Sequence, residues 1–137
     1  MELSPAVRAL LAPDALAHLV TINADGSPHV TIVWVGVDGA DLVVGKLMAD
    51  QKVANIRRDP RIAVSFEADG ADGALAHSLV IEGTATITDG GAPELLGELA
   101  RTYIGPDAVF PPMDDPPDGF VIRITPTKVR GVGPWAP

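Results

Sequence analysis

A chain of 137 residues with ten Lys and Arg against eighteen Asp and Glu carries a formal charge of −8 and contains no cysteine. That length suits one domain over residues 1–137, with roughly two-thirds of its unfolded surface buried, and zero cysteines exclude disulfides, thiolate catalysis and cysteine-based zinc sites while fitting a reducing, cytoplasmic setting. The acidic balance excludes a broad nucleic-acid-binding face, and no apolar run reaches the length of a membrane span or follows a basic leader.

Ser4-Pro5 opens the first predicted helix, with Ser as cap, Pro at the first helical position, and Leu3, Val7, Leu10 and Leu11 as its apolar side. Over residues 19–60, three apolar strands are joined by Asp25-Gly26 and Asp38-Gly39, dipeptides that supply the positive φ of tight hairpin turns. The second run alternates His29, Thr31, Val33 and Val35 with Val30, Ile32, Trp34 and Gly36. Both faces are largely apolar, so this strand is expected to be covered on both sides, as in a barrel wall, with Pro28 as its first residue. Residues 42–47 form the third strand, after which Asp50 caps a helix that runs to Arg57 and is stopped by Asp59-Pro60. Residues 61–67 and 79–88 alternate as strands, with Gly83 marking a bulge or bend. A helix from Pro93-Glu94 buries Leu95, Leu96, Leu99 and Tyr103 and closes at Gly105, a C′ glycine. Beyond the proline-rich, irregular residues 106–119, strands are expected at 120–125 and 128–132, either side of Pro126. Six or seven strands are enough to close a small, mainly antiparallel barrel with helices outside it.

Charge concentrates beside the second helix. Between Lys46 and Arg61, five cations (Lys46, Lys52, Arg57, Arg58 and Arg61) meet two aspartates, Asp50 and Asp59, a local charge of +3 in an acidic chain. A helix start offers unpaired N–H groups and a partial positive charge, and Lys52 stands in that first turn, so the window is a candidate for binding one specific anion. Solvated surface cations are the alternative reading. His18, His29 and His77 are not spaced as metal ligands, so no metal site is expected, and no nucleophile elbow, Gly-rich phosphate loop or acid–base dyad identifies a catalytic residue. His29 reads either as strand packing or as a cofactor contact, and Trp34 as core or dimer interface; Trp135 is an exposed aromatic in need of a cover and is counted among the cofactor-binding candidates.

The segment LVTINADGSPHVTIVWV, then Gln51-Lys52 and NIRRDPRIAVSFE, resembles the pyridoxamine 5'-phosphate oxidase-like split β-barrel superfamily, and within it the group that uses the deazaflavin coenzyme F420. The resemblance implies a homodimer with cofactor sites at the interface and hydride transfer to an unsaturated small-molecule substrate. It implies Lys52 as the phosphate-binding lysine with Gln51 beside it, Gly45, Lys46 and Leu47 as the strand end along the cofactor, and His29, Val30, Thr31 and Ile32 as the strand that meets the ring. Arg57, Arg58 and Lys46 suit an oligoglutamate tail. Where some relatives carry arginine two residues before the lysine, this chain has Asp50, and Arg130-Gly131-Val132 lacks the Arg-x-His element of true pyridoxamine phosphate oxidases. The same fold admits two alternatives: a flavin mononucleotide (FMN) oxidase or flavin reductase, and a cofactor carrier without catalysis.

Overall fold

The computed structural model describes residues 1–68 and 77–135. Seven antiparallel strands and three helices form a split β-barrel: α1 (Pro5–Leu11), β1 (Ala17–Ile22), β2 (Pro28–Val33), β3 (Gly36–Asp38), β4 (Asp41–Lys46), α2 (Gln51–Arg58), β5 (Arg61–Ala68), β6 (His77–Asp89), α3 (Ala92–Tyr103) and β7 (Phe120–Val132). The strand order is β2-β1-β5-β6-β7-β4-β3. Alternating inward residues such as Leu19, Val64, Phe66, Ile81, Ile122 and Ile124 make the core, which α1 covers with Leu3, Val7 and Leu11. No helix among the described residues is long and apolar enough to cross a membrane.

Both Asp-Gly turns form, with the left-handed backbone on the glycines alone, Gly26 at φ 86° and Gly39 at φ 63°. The run between them is not one strand. It breaks at Trp34-Val35 into β2, paired with β1, and β3, paired with β4, and these lie at opposite edges of the sheet. The break is held by Tyr103, whose hydroxyl accepts from the Val35 N–H at 3.1 Å and donates to the Ala15 carbonyl at 2.7 Å. Two-sided coverage of this run is therefore corrected. In β2, Thr31 faces inward opposite Leu19, whereas Val30 and Ile32 stand on the outer face opposite Val20 and His18, 56% and 62% exposed.

A second correction concerns the C-terminal strands, which are one continuous strand, β7. Pro126 is tolerated because it faces Gly83 at the point where the β6–β7 register shifts, so its missing N–H falls at a bulge. A Cβ at Gly83 would collide with the Thr125 carbonyl, which is why glycine stands there. The third helix starts at Ala92, behind a left-handed Gly91, and Gly105 follows its end without a left-handed backbone of its own.

Candidate functional site

Strand β4 ends on Lys46 and α2 begins at Asp50, so the short turn between them brings two lysines onto one carboxylate. The Asp50 Oδ2 atom accepts from Lys52 Nζ at 2.7 Å and from Lys46 Nζ at 2.9 Å. The other oxygen, Oδ1, caps the helix by accepting from the Val53 N–H at 3.3 Å. Lys52 is only 6% exposed. Burial pushes the Asp50 carboxyl up, but hydrogen bonds from Lys52 and Lys46 outweigh it and hold the group below the ordinary aspartate value.

Lys46 is also the rim of a cleft of about 240 Å³ whose walls come from the end of β2 (Ile32, Val33) and the following Trp34, the end of β4 (Val44, Gly45), Leu96 of α3 and Phe110. Two aromatic residues, Trp34 and Phe110, line the cleft, and Tyr103 packs behind Trp34. Trp34 stacks on Tyr103 with centroids 5.5 Å apart and planes at 11°, and meets Phe110 at 5.4 Å and 64°. Gly45 is without a side chain because a Cβ there would press to 2.9 Å from Leu96 Cγ, so α3 can close one wall.

The expected site residues divide. Ile32, Gly45 and Lys46 line the cleft, and Lys46 joins it to Lys52 through Asp50. His29 and Gln51 lie in a separate open depression with Asn23 and Asp25. Leu47 is half-buried just past β4, Val30 is on the outer face of the hairpin, and Thr31 points inward with a buried Oγ1 that has no hydrogen-bond partner among the described residues. Arg57 lies a turn and a half along α2 from the helix start, its guanidinium 5.2 Å from the Phe120 ring centroid, and Phe120 is the strand partner of Lys46. Trp135 is not brought in. It follows β7, whose opposite end, at Phe120, is the one that pairs with Lys46. Its own chain covers it: the indole donates to the Ser78 carbonyl at 2.8 Å, and its ring meets His77 edge-on at 5.8 Å. Among the described residues, no three His, Asp or Glu side chains are grouped so as to hold a metal.

Sequence reasoning missed three contributors. Trp34 and Phe110 form cleft walls, and the scarcity of aromatics in the chain was the available signal. Asn55 is fully buried and acts as a hub: its Nδ2 donates to Thr21 Oγ1 at 3.0 Å and Asn23 Oδ1 at 2.9 Å, while Oδ1 accepts from Gln51 at 2.8 Å. A polar residue on the buried face of an amphipathic helix is the pattern that marks such a role.

A family profile described as Pyridoxamine 5'-phosphate oxidase matches residues 3–133, and the chain belongs to that family. Among solved structures it is similar to an "F420 Reductase", at 26% identity over 93% of this chain and 98% of the other, with a TM-score of 0.76. It is similar also to a conserved hypothetical protein from Mycobacterium tuberculosis, at 26% identity over 94% of this chain and 84% of the other, with a TM-score of 0.71. A putative pyridoxamine 5'-phosphate oxidase from Listeria innocua shares the fold, at 22% identity over 93% and 95% of the two chains and a TM-score of 0.68. No curated protein matches in sequence.

Proposed function

We propose that this member of the family is an oxidoreductase that binds the deazaflavin coenzyme F420 and passes hydride from its reduced form to an unsaturated small molecule. One observation carries the reading: the lysine at the rim of the apolar cleft, Lys46, shares a carboxylate oxygen with Lys52 at the head of α2. A planar conjugated ring suits the aromatic-walled slot, and an anionic arm leaving that ring meets two ammonium groups at once. Likeness to an F420 reductase at 26% identity supports the same choice.

The donor set fits a single negative charge, since two lysines against one aspartate leave +1 at the rim. In this reading Lys46 and Lys52 hold the phosphate, and Ile32, Gly45 and Leu47 flank the ring. Thr31 belongs to the strand that meets the ring, with its side chain turned inward, while Val30, His29 and Gln51 surround the ring's outer parts. Arg57, next along from Lys46 over Phe120, meets the carboxylates of a tail. The bound coenzyme supplies the hydride. The chain's part is to hold the ring, exclude water and neutralise the arm, and none of these tasks needs an acid–base dyad.

The reading includes a single domain over residues 1–137, a cytoplasmic setting and a homodimer. The cleft of about 240 Å³ is smaller than the roughly 300 Å³ at which ligand pockets begin, and Val30 and Ile32 lie exposed beside it, so a second copy completes the wall. Trp135 reaches a cofactor only across such an interface.

Calorimetric titration at several salt concentrations tests the cofactor. F420 binds more tightly than FMN, and its affinity falls more steeply with salt because more charge is neutralised. Tighter FMN binding, or a yellow flavin retained through purification, overturns the choice of coenzyme. Failure of bound, reduced F420 to turn over with any of a panel of conjugated acceptors favours the carrier alternative. Sedimentation as a lone 14.2 kDa species removes the homodimer.

A further inference from the structure

The meeting point of Lys46 and Lys52 is the place an oxygen of a bound anion would take, and the chain's own Asp50 fills it. We infer that Asp50 is the residue that sets anion selectivity at this site, favouring a phosphodiester with one charge over a terminal phosphomonoester with nearly two. The inference rests on the proposed binding of a phosphate-bearing flavin-like cofactor in the cleft.

Asp50 cannot simply leave when a ligand arrives. Its Oδ1 is committed to the Val53 N–H as helix cap, so the carboxylate stays in the site as a third charge. Lys52, with a side chain 7% exposed, is fixed, whereas Lys46 at 27% is freer to turn toward a ligand. A phosphodiester brings the cluster to neutrality. A phosphomonoester, carrying about −1.5 to −2 at neutral pH, leaves negative charge unpaired in a partly buried place. Repulsion from a fixed carboxylate also scales with ligand charge, so it falls about twice as heavily on a dianion.

Helix capping does not explain the choice of aspartate, because Asn and Ser cap as well without the charge. The carboxylate adds the counter-charge of the nearly buried Lys52, and with it a fixed negative charge that any ligand must meet. Discrimination by an unfavourable element aimed at the wrong ligand is a general route to specificity.

The test uses three ligands on the full chain: riboflavin, which presents the ring alone, FMN with a phosphomonoester, and F420 with a phosphodiester. Asp50→Asn tightens FMN by at least about tenfold, tightens F420 by only about threefold, and leaves riboflavin within about twofold. Asp50→Ser, which also retains a cap, repeats the pattern and guards against a variant that folds poorly; melting curves confirm that each is folded. Equal changes for FMN and F420, no change for either, or a matching gain for riboflavin overturns the inference while leaving the cofactor reading intact. Binding of neither FMN nor F420 to parent and variants defeats the cofactor reading, and the inference falls with it.

Discussion

The two ends of α2 carry similar charge and do different work. At its start, Asp50 gathers Lys46 and Lys52 on one oxygen beside an open cleft, and one cation there is partly exposed. Toward its end, Asn55 is fully buried and ties the helix to Thr21 and Asn23, while the Arg58 guanidinium donates to the Ile22 carbonyl. Asp59 closes that end by accepting from the Arg61 backbone N–H at 3.2 Å and from its guanidinium at 3.1 and 2.7 Å. The distinctive string NIRRDPR is thus largely a clamp that fastens α2 to β1 and to the start of β5. The residues placed to meet an anion precede it and are less conspicuous in sequence. A distinctive motif reports a tight geometric constraint, and that constraint here is mostly internal.

The contrast breaks most visibly at Asn55. Asn55→Ala leaves the Thr21 hydroxyl and the Asn23 amide without their donor inside the protein and should cost about 3 kcal/mol of stability in urea denaturation. A loss below about 1 kcal/mol would return NIRRDPR to the ligand side of the comparison. At the other end, Lys52→Ala should weaken F420 binding by roughly 1.5–3 kcal/mol, ten- to more than a hundredfold, with a smaller effect on stability than Asn55→Ala. Unchanged affinity across salt concentrations would make Lys52 no more than the partner of Asp50. The smallest effect belongs to Arg57→Ala, which removes a cation from the Phe120 ring and should cost roughly 0.5–1 kcal/mol of stability. Calorimetry should show FMN affinity within about twofold of the parent for this variant and a clear loss for tailed F420. Equal losses for both ligands would place Arg57 at the phosphate itself.

Strands β2 and β4 show where legibility stops. PHVTIV and DLVVGK are both short apolar runs bounded by turn residues, yet β4 is buried through its middle and β2 alternates exposed and half-buried. Composition and period determine that each is a strand. Position in the sheet decides what covers it, and β2 is an edge strand whose outward Val30 and Ile32 stay exposed.

By itself the sequence determined what local physics controls: the Ser4-Pro5 and Asp50 helix starts, the glycines of both hairpin turns, the bulge at Gly83 and the inward faces of β5 and β6. Each depends on backbone dihedrals or on side chains a few residues apart. The tertiary structure alone decided that the second apolar run breaks at Trp34-Val35, that Lys46 and Lys52 converge on Asp50, that Trp34 and Phe110 wall one cleft with Tyr103 stacked on Trp34, and that Trp135 lies at the far end of β7. Those relations join residues distant along the chain. Strand order and register fix them, because a half-buried pattern specifies which way a side chain points without specifying which element it meets.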